Sequence, residues 1–296
     1  MNHDTPAAPA PGICANCYGA LAPTDRYCRH CGQRTRLHVP TLFEFVHEFG
    51  SHYVALDGGV LWRSLAALFL APGKLAREYF AGRRGKYVAP LRLYLTASIL
   101  FFVVIRVFGG DAEVKMERNV AAAEQPPVAL SLGDGDALAK PWAYGNGVRL
   151  WLAKRLDKLE AEMKGPNRAE IFTNALRRFV GSMYYAMFLL LPIYAAISKL
   201  VYLNRGRTYG EHVVYALYSH AFLFFMLLLL FVLPSSRPVL VLPIVLWMLA
   251  YPYLELHRVF GGRHWAVFVR SNLIGVLYLL VATPVIGAFF LYSMLA

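Results

Sequence analysis

Four cysteines stand in two pairs, Cys14-Ala-Asn-Cys17 and Cys28-Arg-His-Cys31, with ten residues between the pairs. Each pair is a tight turn that can aim two thiolates at one ion, and Gly32 permits the turn after the second pair. Two such knuckles make a closed tetrahedral four-thiolate cage, the structural form of zinc binding. A segment this short cannot bury a core, so binding the metal would also be what folds it. A redox dithiol and iron in the same cage are the alternatives. No ligand position is left open, which disfavours zinc catalysis, and His30, between the ligands, reads as a surface residue. All four cysteines fall within the first 31 residues, a distribution that speaks against a disulfide framework.

A second set of candidates lies near apolar runs. Glu211 and His212 open one run, and His220 follows two turns later on nearly the same helical face. Glu255 and His257 close the next run, and Arg270 opens the last. Ionisable groups inside a membrane are costly and default to a functional hypothesis. If these helices pack together, Glu211, His212, Glu255, His257 and Arg270 gather at one level. With His220 they form a candidate intramembrane polar site suited to a lipid phosphate or a metal. Interhelical hydrogen bonding is the competing explanation. The chain has no Gly-rich phosphate loop, GxSxG elbow or HExxH helix, so no catalytic residue is assigned.

The composition places all of this at a membrane. Of 296 residues, 57% are hydrophobic, and the mean hydropathy is +0.43. A net charge of +12 would suggest nucleic acid in a soluble protein, but here sidedness in the membrane accounts for it. Arg26, Arg29, Arg34 and Arg36 make the cysteine segment basic, yet one small ribbon beside a membrane is a weak case for nucleic-acid binding. Met1 to Gly12 is rich in Ala and Pro, with Asp4 and no apolar run, unlike a secretory signal.

The elements that must position these residues divide the chain into a flexible tail (1–13), a zinc ribbon (14–36), and amphipathic and interfacial helices ending in a basic knot (40–90). A first span (91–108), an extracytoplasmic helical loop (109–178) and a bundle of four further spans (179–296) follow. Thr41 and Glu44 stand at capping-box spacing, and Leu42, Phe45, Val46, Phe49 and Tyr53 repeat at helical intervals behind them. Val60 to Ala71 is apolar apart from Arg63 and Ser64, but its twelve residues fall short of the ~20 a span needs. Pro72-Gly73 then stops the helix, which predicts an interfacial or re-entrant segment. Lys74, Arg77, Arg83, Arg84, Lys86 and Arg92 follow, and of these Arg83, Arg84, Lys86 and Arg92 are the candidate contacts for anionic headgroups. The competing role for such charges is to set topology.

Spans are expected at Leu93–Ile105, Phe179–Ser198, Val213–Ser236, Pro238–Leu254 and Ser271–Ala296, the fourth short and the fifth kinked at Pro284 or Gly287. Lys199, Arg205, Arg207, Arg258 and Arg263 fall in the loops on the ribbon side, while the opposite short loop has only Arg237. The positive-inside rule then puts the N-terminus in the cytoplasm and the C-terminus outside. In the long loop, Val148, Leu152, Leu156, Leu159 and Met163 form a helical stripe, and Asn167 and Glu170 can cap a helix running into the second span. The acidic pairs Asp134/Asp136 and Glu160/Glu162 lack the ligand run of a calcium loop and read as solvated charge.

The segments CANC…YCRHCGQR, ALDGGVLWRSLAALFLAPGKLAREYFAGRRGKYVAPLRLYL, YGEHVVYALYSHAFLFF and YPYLELHRVFGGRHW resemble a bacterial inner-membrane family that joins an N-terminal zinc ribbon to a multipass domain of unknown function. By that similarity Cys14, Cys17, Cys28 and Cys31 are metal ligands, and Glu211, His212 and His220 match a His-bearing motif of the third span. Tyr18 departs from the pattern, since such knuckles usually carry Gly there. The resemblance implies an architecture and supplies no reaction. The inside-N, five-span layout is also similar to Yip-type membrane trafficking proteins, by topology alone.

The sequence therefore predicts an all-α polytopic membrane protein of about five transmembrane helices with a small N-terminal zinc ribbon. The expected role is non-enzymatic, with a structural zinc, a cytoplasmic protein partner docked on the ribbon, and anionic lipid at the basic knot. A transporter or lipid-moving protein, and a membrane enzyme acting on a lipid-linked phosphate, are the alternatives.

Overall fold

The computed structural model describes residues 12–35, 58–108, 154–158, 168–233 and 238–295. The amphipathic helix expected behind Thr41, residues 1–11 of the expected tail and the two acidic pairs lie outside the described residues, as does most of the Val148–Met163 stripe. The helices are α1 (Gly58–Leu70), α2 (Lys74–Phe80), α3 (Pro90–Phe108), α4 (Arg168–Val201), α5 (Tyr209–Val232), α6 (Pro238–Phe260) and α7 (His264–Leu295). Among the described residues there is no β-strand, only isolated bridges between Ile13 and Ala20 and between Tyr27 and Arg34. Among the described residues five helices, α3 to α7, are long and apolar enough to cross a membrane, and the chain is a multipass membrane protein.

α1 and α2 are separated where Pro72-Gly73 interrupts the ladder. Gly73 has φ +75°, and a Cβ there would sit 2.9 Å from Val259 Cγ2 and 3.0 Å from the Glu255 carbonyl oxygen. Both the left-handed backbone and the close approach to α6 require glycine. Neither α1, at 13 residues, nor α2, at 7, is long enough to span a membrane. Leu75, Ala76 and Tyr79 of α2 are nonetheless buried, because α2 packs against α1, α5 and α6.

The last turn of α1 is finished by side chains of α6. A helix end leaves carbonyls without backbone partners. Here the Tyr251 hydroxyl donates to the Leu68 carbonyl (2.9 Å) and the Trp247 indole to the Phe69 carbonyl (3.1 Å). The Arg258 guanidinium donates to the Pro72 carbonyl (3.2 Å). Tyr251 is itself fixed by stacking on Phe222 of α5, with ring centroids 3.5 Å apart. After α2 the chain crosses to α3 through Val88, whose N–H donates to Ser64 Oγ (2.9 Å) and whose carbonyl accepts from the Tyr218 hydroxyl (3.1 Å).

α5 is the enclosed helix of this bundle, with 61% of its apolar stretch buried against 11–28% for the other four spans. It begins at Tyr209, before the expected Val213, because Thr208 and Glu211 close a capping box. α6 runs to Phe260, beyond the expected Leu254, because Glu255 is not a solvated helix end: it is 1% exposed and lies 2.6 Å from Ser219 Oγ of α5. α7 starts at His264, seven residues ahead of the expected Ser271. The chain divides into two units, and the features above belong to the first, Met1–Phe102 with Phe188–Val281. In the second, Val103–Met187 with Ala282–Ala296, Phe290 of α7 makes edge contacts with Phe179 (5.4 Å) and Phe172 (6.2 Å) of α4.

Candidate metal centre and the loop it docks on

The four cysteine sulfurs converge. All lie within 4.8 Å of one another, with Cys14–Cys31 at 3.6 Å and Cys17–Cys28 at 3.5 Å, and none is in a disulfide. Four thiolates about 2.3 Å from one tetrahedral ion would stand roughly 3.8 Å apart, so the cage fits a metal of that geometry. Among the described residues this is the group of His, Cys, Asp and Glu side chains close enough to share an ion. Burial opposes ionisation of Cys31, but the Gln33 N–H, the Asn16 side chain and the neighbouring thiols outweigh it and bring the thiol to about 7, whereas at Cys17 the Gly19 backbone bond is outweighed by burial and the other three thiols, which push it up to about 12. The four thiols thus share charge unevenly, and the thiolate is the form that binds a metal. A bound ion would supply only structure here, closing a cage with no open position.

The two knuckles repeat each other at an interval of fourteen residues. Tyr18 N–H donates to the Cys14 carbonyl (2.9 Å) and Cys14 N–H to the Gly19 carbonyl (2.8 Å). Gly32 N–H donates to the Cys28 carbonyl (2.9 Å) and Cys28 N–H to the Gln33 carbonyl (2.8 Å) in the same way. The residue after each second cysteine is left-handed, Gly32 at φ +70° and Tyr18 at φ +63°. Tyr18 takes the turn a glycine would take, at a cost a non-glycine residue must bear. His30 packs on Gly19, where a Cβ would lie 2.6 Å from the His30 ring.

The second knuckle is bonded to the loop between α2 and α3. Gln33, 9% exposed, donates through Nε2 to the Gly82 carbonyl (2.6 Å), and its Oε1 accepts from the N–H groups of Arg84 (2.9 Å) and Gly85 (3.0 Å). One side chain thus satisfies three backbone groups of a loop about fifty residues away. The first knuckle reaches the same loop: Asn16 lies so close to Gly85 that a Cβ there would be 2.9 Å from Asn16 Nδ2. The Tyr18 hydroxyl accepts from Arg83 Nη1 (3.3 Å).

The basic knot is largely engaged by the protein itself. Arg83 pairs with both oxygens of Glu78, at 2.6 and 2.7 Å. That hydrogen bond holds the Glu78 carboxyl below the usual carboxylate range and raises the Arg83 guanidinium. The Arg84 guanidinium lies 4.3 Å over the Tyr79 ring, and the Lys86 ammonium 5.8 Å from the Tyr87 ring. Arg92 sits half-buried in the first turn of α3, while Lys74 and Lys86 are exposed.

The intramembrane candidates each engage a partner of their own. Glu211 closes the cap of α5, its Oε2 accepting from Thr208 N–H (2.8 Å) and its Oε1 from Arg207 (2.7 Å). His212 hydrogen-bonds Ser198 (2.9 Å), Glu255 meets Ser219, and His257 stacks on His264 (4.3 Å). Arg270 covers the Tyr202 ring at 5.0 Å, and His220 bonds the Ala216 carbonyl (2.8 Å) and the Tyr278 hydroxyl (3.1 Å). The Thr208-x-x-Glu211 spacing marks the cap in the sequence. Gln33, Ser219 and Tyr278 carry no such mark, being single polar residues whose partners are remote in the chain.

Residues 58–102 match the family described as "Protein of unknown function (DUF3667)". That stretch comprises α1, the Pro72-Gly73 break, α2, the docking loop and the first part of α3. No curated protein and no solved structure matches the chain.

Proposed function

We propose that the chain is a non-enzymatic multipass protein of a bacterial inner membrane, in which a structural zinc knuckle is bolted to a re-entrant basic unit and presents it to anionic lipid and to a cytoplasmic protein. The observation that carries this is the Gln33 contact with Gly82, Arg84 and Gly85, which makes the cysteine cage a fixture of the unit made by α1, α2 and their loop. The side carrying Lys74, Arg77, Arg83, Arg84 and Lys86 is then cytoplasmic by the positive-inside rule, and the C-terminus is outside. Lys74 and Lys86 are exposed and suited to phosphate headgroups, whereas Arg83 and Arg84 shape the loop. Ile13, Tyr18 and Tyr27 stand exposed on the knuckles, the face offered to a protein partner.

A second reading, a lipid-moving or transporting protein, draws on the buried polar contacts Tyr194–Tyr215 (2.9 Å), Ser219–Glu255 and His220–Tyr278 inside the bundle. An enzyme acting on a lipid-linked phosphate is disfavoured, since Glu211 is consumed by its cap and by Arg207. Native mass spectrometry of protein released from nanodiscs of mixed anionic and zwitterionic lipid tests the proposal. Zinc at one ion per chain and selective retention of anionic lipid, reduced in a Lys74→Ala/Lys86→Ala variant, is the expected result. Protein kept reduced and free of chelator that carries no zinc, or that retains both lipid classes alike, overturns it.

A further inference from the structure

The paired ends of α5 and α6 give a scale for depth. Phe260, the last residue of α6, packs on His212 (4.8 Å) and Tyr215 (5.5 Å) in the first two turns of α5, so the two ends stand level. Arg205, Arg207, Arg258 and Arg263 flank this end and make it basic. Trp247 lies thirteen positions back from Phe260, and Phe222 lies thirteen positions on from Tyr209. At 1.5 Å per residue both are about 20 Å along their helices, a little past the middle of α5.

α1 descends this scale and α2 returns along it. Ser64 accepts from the Val88 N–H, and the Val88 carbonyl meets Tyr218, nine positions into α5. Phe69 lies deeper: its carbonyl accepts from Trp247, and its ring packs on Phe222 (6.4 Å) and Phe225 (5.7 Å). Three residues later the chain is back toward the basic end, with Pro72 bonded to Arg258 and Gly73 beside Val259. At the far end of α2 the Phe80 ring lies 5.7 Å from the guanidinium of Arg207, two residues ahead of α5. The two helices thus enter and leave at one end and turn near the middle of the spans.

One face of α1 is left open at these depths. Ser64, Ala67 and Leu68 are buried against the bundle. Trp62, Ala66 and Leu70, spaced i, i+4 and i+8, lie on the other side and are exposed, Trp62 at 73% and Leu70 at 79%. The open face changes along its length. Its shallow end carries Trp62 and the exposed Arg63, an aromatic ring and a cation on a long stem, which suit a membrane–water boundary. Its deep end carries only Ala66 and Leu70. A passage from charge to hydrocarbon over one short helix matches one leaflet, half of a core of about 30 Å. A soluble partner does not reach Leu70 beside the middle of two spans, whereas acyl chains surround it there.

We propose that α1 and α2 form a half-membrane hairpin whose Trp62–Ala66–Leu70 face packs against phospholipid acyl chains of the leaflet at the basic end. The hairpin then displaces lipid from that leaflet alone. This rests on the re-entrant unit of the function proposed above, but it uses neither the metal nor the headgroup charge.

Photocross-linking of the full chain in nanodiscs tests it, with benzoylphenylalanine placed at Leu70 or at Trp62. The expected result is a chain mass raised by one phospholipid at either position. Fragmentation then places the Leu70 adduct toward the methyl end of an acyl chain and the Trp62 adduct nearer the glycerol. Metal content and elution volume equal to those of the wild type confirm that each variant is folded. A cross-linked dimer identifies a second copy as the occupant, and a cross-link to residues 36–57 identifies a segment of the chain itself. Either result overturns the proposal, as do folded variants with no lipid adduct or with the two depths reversed. Lipid adducts as expected in protein that lacks zinc or anionic-lipid selectivity overturn only the earlier reading.

Discussion

The side-chain oxygen of Gln33 accepts the backbone N–H of Arg84 at 2.9 Å, across fifty-one positions of sequence. This contact joins the segment that has the clearest chemistry, the four cysteines, to the stretch that matches a known family. With the bonds to Gly82 and Gly85 it uses both acceptor positions of the amide oxygen and one of the two amide N–H groups. Each such bond contributes about 1 kcal/mol, and the Arg84 N–H keeps a bond to the Gly82 carbonyl (3.0 Å) when the side chain is lost. Gln33→Ala therefore lowers stability by about 1–3 kcal/mol. Gln33→Glu does not rescue it, because a carboxylate cannot donate to the Gly82 carbonyl. Thermal unfolding of both variants in detergent checks this, and a wild-type midpoint for Gln33→Ala contradicts it.

Tyr18 bears a left-handed backbone in return for its bond to Arg83. Replacing it separates the two effects. Tyr18→Gly relieves roughly 1 kcal/mol of backbone strain and makes the cage hold its metal more firmly against a chelator. Tyr18→Phe keeps the strain, loses only the hydroxyl, and releases metal as the wild type does. Metal release timed with a chromogenic chelator distinguishes them, and faster release from Tyr18→Gly contradicts the strain assignment.

The end of α1 depends on side chains of α6. Tyr251→Phe removes the donor to the Leu68 carbonyl while keeping the stack on Phe222. It leaves a buried acceptor unpaired at a cost of about 1–3 kcal/mol. Trp247→Phe acts in the same direction at the Phe69 carbonyl. Faster cleavage near Pro72-Gly73 by a protease added to detergent-solubilised protein, relative to the wild type, is the expected readout.

The Glu78–Arg83 pair sets a pH limit on the docking loop. Its hydrogen bond depresses the Glu78 carboxyl, so the stabilisation is present above the ordinary glutamate range of about 4.3 and is lost as pH falls through the lower folded value. The loop is thus insensitive to pH across the neutral range and loosens only in acid. Glu78→Gln abolishes that acid transition, as followed by amide exchange at residues 82–85. A transition centred near neutrality in the wild type points to some other group.

Several features were legible in the sequence because they are local. The cysteine spacing, the Pro72-Gly73 break and the uncharged runs of the five spans each depend on neighbours in the chain. The spans run further than their uncharged stretches because polar residues at their ends find partners within the protein: Glu255 lies inside α6, and Glu211 lies inside the first turn of α5. Glu211, His212, Glu255, His257 and Arg270 engage Thr208, Ser198, Ser219, His264 and Tyr202 in turn, and pairing of that kind depends on helix rotation, which periodicity alone does not fix. The basic knot reads as a lipid-facing cluster, yet Arg83 and Arg84 turn to Glu78 and Tyr79.

The most direct measurement is hydrogen–deuterium exchange of the full chain in nanodiscs, read at the Arg84 and Gly85 amides with the metal present and after its removal by chelation under reducing conditions. A metal-held knuckle clamped through Gln33 predicts that both amides are protected with metal and exchange markedly faster without it, together with those of the knuckle itself. Fast exchange at Arg84 and Gly85 in the metal-loaded protein, or protection that survives metal removal unchanged, contradicts it.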